Sequence, residues 1–324
     1  MTRTKINLDV NELRQLLTGG LIPAVPVPFD TQGQLHRQAQ ASYERYMSSQ
    51  EIAGVAVWAH TGRGLHLDES TAVQVLESWR TSLPDKVIVA GVGATHADKP
   101  TLSTLKMAES AASSGADAFL VYAPTWLRGT TDIDRAIVDH HTQLASLGVP
   151  LILFYLYEDA GGISYSAEVL DELLSIPSVI GIKVATLDSV MTYQDISEQI
   201  RSRHPDKLLI TGEDRFLGYS LRRGARAALI GMGAVCTDLQ LELMKAHFSG
   251  RAERFLELSD MVDALAESLF VQPMEGYIKR TLLALAQLNV IPFEAANDPW
   301  GPELSSEEQT KIANVVNSLA VYSS

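Results

Sequence analysis

Eight short apolar runs, each followed by a stretch of helical periodicity, constrain this chain more than any other feature of its sequence. They read LIPAVPV (21–27), GVAVWA (54–59), KVIVAGV (86–92), AFLVYA (118–123), PLILFYL (150–156), VIGIKVA (179–185), KLLITG (207–212) and AALIGM (227–232). Each is aliphatic on both faces, without polar alternation, which is the pattern of parallel strands covered on both sides. Between them lie amphipathic segments such as TAVQVLESWRTSL (71–83), TLSTLKMAESAASSG (101–115) and DSVMTYQDISEQIRSR (188–203), with Gly115 and Gly224 where helix C-caps are expected. Eight such β–α units predict an α/β fold, a (β/α)8 TIM barrel over residues 21–250. The rival is an open doubly wound sheet. It needs a G-x-G-x-x-G turn after its first strand, and the GVG at 91–93 has no third glycine.

The barrel is expected to be flanked on both sides. Residues 1–20 read as a helical lead-in. Residues 251–324 read as a C-terminal helical extension packed on the barrel, with amphipathic helices over 253–270 and 274–289, a loop NDPWGPEL (297–304) and a last helix. A composition 46% hydrophobic and 20% charged supports one large core. The net charge of −13 opposes a nucleic-acid partner, whose phosphates need a basic surface. A single cysteine, Cys236, leaves no disulfide within the chain and no cysteine metal cluster. The opening MTRTKINLDVNEL lacks the apolar core of a secretory signal, and no run approaches the roughly 18 apolar residues that span a bilayer. The expectation is a cytoplasmic protein with a small-molecule substrate and neither nucleic acid nor membrane as partner.

A barrel carries its chemistry at the C-terminal ends of its strands. Among the lysines, Lys183 alone lies inside an apolar strand near that end; Lys86 and Lys207 open their strands, and the others fall on helices, in the tail or, for Lys99, in a loop. Lys183 has two readings. It is a buried ammonium paired for structure, or an amine whose pKa desolvation lowers until it becomes a nucleophile. AHTGRG (59–64) ends the second strand in a small-residue turn. There a threonine hydroxyl and backbone N–H groups suit a carboxylate, although Thr61 as a simple cap explains the same pattern.

Taken in order, these motifs resemble the dihydrodipicolinate synthase / N-acetylneuraminate lyase family. PAVPVPFD (23–30) resembles its opening strand, AHTGRG its G-[ST]-T-G-E-[SG] pyruvate loop and GVGATHA (91–97) its G-x-G-A segment. VPLILFYLYED (149–159) falls on the strand bearing its catalytic tyrosine. GIKVAT (181–186) matches G-[IV]-K-x-[AS]-[ST], which carries the Schiff-base lysine. The resemblance implies that Lys183 forms an imine with pyruvate or a related 2-oxo acid, without metal or other cofactor. It implies that Thr61 and the N–H groups of Thr61 and Gly62 hold the carboxylate, with Thr186 and the carbonyl of Leu229 beside the imine. It also implies a homo-oligomer, a tetramer.

The departures from the family pattern matter as much. Phe154 stands where the family has its tyrosine, so Tyr155 or Tyr157 would have to take the proton-transfer role; on an ungapped strand Tyr155 faces away from Phe154. His60 replaces a hydroxyl of the carboxylate loop and is a candidate proton carrier with an unperturbed pKa near 6.5. Arg63 replaces a glutamate and sits in a subunit contact or pairs with an acid. Trp126 falls where the family reaches a neighbouring subunit, as pocket wall or interface. Asp159 lies near the place of an arginine that binds the carboxylate of an aldehyde substrate, which argues against aspartate semialdehyde. Glu213 and Asp214 end the seventh strand, either to meet a polyhydroxylated substrate or as ordinary surface acids. Three functions are open: an aldolase of a 2-oxo acid, a dehydratase of a sugar-acid-derived 2-oxo acid, and a catalytically weakened barrel that binds a 2-oxo acid.

Overall fold

A computed structural model of the chain describes residues 8–94, 99–187 and 189–320. Each of the eight apolar runs contains a strand: β1 (Leu21–Pro23), β2 (Gly54–Val57), β3 (Val87–Val92), β4 (Ala118–Val121), β5 (Leu151–Leu156), β6 (Val179–Ala185), β7 (Leu208–Thr211) and β8 (Ala227–Ile230). All are parallel, in the order β1-β8-β7-β6-β5-β4-β3-β2. The ring closes between β1 and β2, where Ala24 bridges Ala56 and the N–H of Val25 donates to the Ala56 carbonyl at 3.1 Å. This is the (β/α)8 barrel expected from the sequence.

Seven of the eight strands are shorter than their apolar runs, and β1 and β2 show why. β1 stops at Pro23, because Pro26 and Pro28 carry no N–H for a ladder. β2 stops at Val57, because Trp58 adopts a left-handed backbone with φ 54°. That turn aims the Trp58 carbonyl at the hydroxyl of Tyr122, 2.8 Å away. It also explains the second glycine of AHTGRG, since a Cβ on Gly64 would lie 1.9 Å from the same carbonyl oxygen.

Among the described residues, twelve helices complete the chain. α1 (Val10–Leu17) precedes the barrel and is closed by a capping box of Asp9 and Glu12. α2 (Arg37–Ser48), α3 (Glu69–Ser82), α4 (Pro100–Ser114), α5 (Ile133–Ala145), α6 (Ala167–Ser175), α7 (Val190–Arg203), α8 (Leu217–Arg222) and α9 (Thr237–Phe248) follow the strands. Gly115 caps α4 at φ 104°, and Gly224, also at φ 104°, comes just after the last turn of α8. α10 (Ala252–Leu269), α11 (Tyr277–Gln287) and α12 (Ser306–Ala320) form the C-terminal helices.

Two apolar layers position the site. The inner one fills the barrel with residues such as Ile22, Val89, Leu120, Ile152, Phe154 and Leu229. The outer one lies between strands and helices and continues into α10, α11 and α12. In β6 the pairing with β5 slips by one residue, so that Leu151 faces Val179 while Ile152 faces Gly181. The extra residue reverses the facing of the rest of the strand. Ile180 belongs to the inner layer, Ile182 and Val184 to the outer one, and Lys183 therefore points inward opposite Phe154.

The wall contributed by the C-terminal helices is fixed by Arg280. It is fully buried, donates to the carbonyls of Leu269, Val271 and Pro273, and pairs with Glu308 at 2.8 Å. Its many bonds hold the link between α10 and α11 across the mouth of the barrel.

Candidate active site

A cavity of about 220 Å³ opens at the C-terminal ends of the strands, with Lys183 at its inner end. The amine is 7% exposed and its Nζ lies 4.3 Å from the centre of the Phe154 ring. Burial pushes the ammonium down to about 8, while the carboxyls of Asp214 and Glu213 pull the other way. The side chain has room because residue 212 is glycine: a Cβ there would stand 2.6 Å from Lys183 Cε and 3.1 Å from Cγ.

The loop after β2 brings His60, Thr61 and Arg63 to the same cavity. Thr61 is buried, and its Oγ1 lies 3.2 Å from the hydroxyl of Tyr277. The Gly62 N–H is directed to the Ala59 carbonyl at 2.9 Å, so it is not turned toward a substrate carboxylate. Arg63 grips Asp298 with two nitrogens, at 3.0 and 2.5 Å, which ties the loop to the C-terminal segment and resolves its charge as a pair with an acid. His60 lines the cavity, but burial, with Lys183 and Arg63 nearby, pushes its imidazole down to about 4. Near pH 7 it is therefore uncharged, its pKa displaced from the unperturbed value near 6.5.

The two tyrosines of the β5 segment part company. Tyr155 points into the outer layer, against Tyr165 with ring centres 5.9 Å apart, and does not line the cavity of Lys183. β5 keeps its alternation, so no bulge turns Tyr155 inward. Tyr157 comes directly after the strand and stands at the cavity's edge with Asp159. Thr186 is buried and turned away: its N–H and hydroxyl donate to Glu213 at 2.6 and 3.0 Å, and its hydroxyl also lies 2.9 Å from the Ser189 carbonyl. Leu229 lies inside the barrel, and Gly231 is the cavity-lining residue after β8. Trp126 packs edge-on against His140 of α5, 5.1 Å between ring centres, away from the cavity. His140 and His141 are both buried, with ring centres 5.5 Å apart. Of GVGATHA, residues 95–97 lie outside the described residues.

Neither acid after β7 is a surface group. Glu213 is fully buried and accepts the N–H groups of Thr186 and Leu187, so it shapes the end of β6. Asp214 is 6% exposed, accepts the Met232 N–H at 2.7 Å and lines the cavity with Lys183. Burial pushes both carboxyls up to about 7.

Tyr277 was not legible as a site residue. It opens α11, stacks on Phe270 with ring centres 4.9 Å apart, and lines the cavity with its hydroxyl on Thr61. Burial pushes its phenol up, so the hydroxyl keeps its proton at neutral pH. The one local hint is its place at a helix start directly after a Pro-Met-Glu-Gly turn.

A barrel with a buried lysine on its sixth strand defines a class of strand-end enzymes, and comparison with known proteins narrows it. The model of the Dihydrodipicolinate synthetase family matches residues 17–319, and the chain belongs to that family, one of lyases. It is similar to the 4-hydroxy-tetrahydrodipicolinate synthase of Bartonella quintana, 26% identical over 264 residues covering 80% of this chain and 85% of the relative. With that of Archaeoglobus fulgidus it shares 25% identity over 309 residues, 94% of this chain and 99% of the relative. In fold it is similar to dihydrodipicolinate synthase from Oceanobacillus iheyensis, with TM-score 0.83 at 18% identity over 97% of this chain and 100% of the other. The sialic acid aldolase of Ruminococcus gnavus gives TM-score 0.82 at 17% identity over 95% and 98%.

Proposed function

We propose that this protein is a Schiff-base lyase in which Lys183 condenses with pyruvate or a close 2-oxo acid relative and makes or breaks the adjoining carbon–carbon bond. The observation that carries the reading is Lys183 itself: an inward-facing, desolvated amine at the end of a cavity, with a pKa pushed down to about 8. Enough of it is uncharged near neutral pH to attack a carbonyl carbon. Attack at C2 gives a carbinolamine, and loss of water gives the protonated imine. That cation accepts the electron pair when a proton leaves C3, so an enamine forms and its C3 becomes the nucleophile.

Protons must move at each of these steps, and Phe154 cannot move them. The Tyr277 and Thr61 hydroxyls, 3.2 Å apart on the cavity wall, form the pair we assign to that task. The Thr61 hydroxyl also stands ready for the substrate carboxylate. His60, held neutral by burial, would shape the pocket and accept a hydrogen bond; Tyr157 would meet the substrate's outer half. The chemistry asks for no metal or other cofactor. By family likeness the working form is a homo-oligomer, with Trp126 in a subunit contact. The net charge of −13 supports a cytoplasmic setting, and among the described residues no helix is long and apolar enough to cross a membrane.

Deuterium exchange tests the reading before any second substrate is known. In D2O the protein should exchange the methyl protons of pyruvate, followed by NMR, and Lys183→Ala should not. Equal exchange by the variant and the parent would contradict the proposal.

A further inference from the structure

The walls beyond Lys183 carry information about the second reactant. The cavity's lining includes the apolar Leu156, Ala160, Ala185, Leu187, Phe270 and Met274. Acids flank the opening: Asp159 and Glu275, both exposed. Among the described residues, the cations on this wall are Lys183, which is the nucleophile, and Arg63, whose guanidinium is held by Asp298 through two bonds. Outside lies a vestibule that shares Tyr157, Leu187, Phe270 and Met274 with the cavity. Arg215, the arginine that lines it, donates to the Phe270 carbonyl at 2.9 Å and lies 3.9 Å from Glu267.

A second carboxylate on the incoming substrate would leave water here for apolar side chains. Among the described residues it would meet no uncommitted cation in the cavity, and it would approach two like charges at the rim. A polyhydroxylated chain would fare little better. Its hydroxyls would lose water against those apolar side chains, and the buried polar groups of the cavity are already engaged: Thr61 with Tyr277, Arg63 with Asp298, and Asp214 with the Met232 N–H. A neutral hydrocarbon group suits the same wall, because its burial there removes apolar surface from water on both sides.

We infer that the second reactant is a small, neutral aldehyde with an apolar substituent, aliphatic or aromatic, and not an acidic or polyhydroxylated one. The inference rests on the Schiff-base reading above. In the condensing direction, C3 of the enamine bonds to the aldehyde carbon while the aldehyde oxygen takes up a proton. Water then hydrolyses the imine, releases a 4-hydroxy-2-oxo acid and restores the Lys183 amine. The water consumed balances the water lost when the imine formed.

The test is a panel of aldehydes with pyruvate and the full-length protein, the product acid being followed by mass spectrometry. Benzaldehyde and isobutyraldehyde should exceed succinic semialdehyde and glyceraldehyde in kcat/KM by at least about tenfold, the scale on which an apolar pocket discriminates. Met274→Arg, a substitution at the mouth, should narrow the gap toward succinic semialdehyde. Equal or better use of either polar aldehyde by the parent would overturn the inference and leave the Schiff-base reading standing. Failure to exchange the pyruvate methyl protons would overturn that reading, and this inference with it.

Discussion

The hydroxyl of Tyr277 lies 3.2 Å from Oγ1 of Thr61, although the two residues are 216 positions apart in the chain. One comes from the turn after β2, the other from the first turn of a C-terminal helix. The contact joins the extension to the catalytic end of the barrel and supplies a phenol to a cavity whose strand-borne position for one is Phe154. Gly231 allows the approach: a Cβ there would stand 3.0 Å from Thr61 Oγ1 and 3.3 Å from the Tyr277 ring.

If that pair moves protons, Tyr277→Phe should lower turnover by roughly 100- to 10,000-fold, the usual cost of losing a general acid–base group. The ring remains to stack on Phe270, so thermal stability should change little. Tyr155→Phe, in the outer layer, should stay within a few-fold of the parent. The reverse result, a silent Tyr277→Phe and a crippled Tyr155→Phe, would remove Tyr277 from the mechanism.

Gly212→Ala should act on Lys183 without touching its chemistry. The new methyl would press on Cε and Cγ of the lysine, at 2.6 and 3.1 Å, and the flexible side chain must give way. A well-placed nucleophile loses much of its rate when displaced by about an ångström. The expected outcome is pyruvate exchange slowed by roughly 100-fold with an intact circular dichroism spectrum. Parent-like exchange would show that the amine is not held where the structure has it.

Acid should act on stability through His141, which is fully buried with Nδ1 2.8 Å from the Ile137 carbonyl and a pKa pushed down to about 4 by burial. Between about pH 6.5 and pH 4 the unfolded chain binds a proton there that the folded one refuses. This residue therefore costs stability as pH falls through that window, by up to about 1.4 kcal/mol per pH unit. Glu213 and Asp214, pushed up to about 7, work in the opposite sense: their neutral forms favour folding below their folded pKa. The measurement is thus a difference. Relative to the parent, His141→Asn should gain in Tm as pH is lowered from about 7 to about 4.5, and a constant difference would contradict the buried neutral imidazole.

Much of the barrel was legible in the sequence because parallel strands buried on both sides leave unbroken aliphatic runs, and all eight runs contain their strand. Lys183 was legible for a related reason: a charged residue inside such a run stands out. Its inward orientation was not, since it depends on the one-residue slip between β5 and β6, which no local pattern marks. Glu213 and Asp214 read as loop acids because sequence does not reveal which carboxyls find buried N–H donors. The neutral state of His60 comes from what covers it, not from its neighbours in the chain. Tyr277 was hidden most completely. Helical periodicity placed it in an amphipathic segment, and the hydroxyl that gives it meaning lies at the far end of the sequence.

Borohydride trapping tests the central claim most directly. With pyruvate present, reduction should add a single pyruvate-derived adduct to the intact protein, located on the peptide that contains GIKVAT, and Lys183→Ala should take up none. The labelling rate should rise with pH over a range below the ordinary lysine value of 10.5, as expected for a desolvated amine. An adduct on Lys99 or another lysine, or no adduct with any 2-oxo acid, would contradict the assignment of Lys183 as the Schiff-base residue.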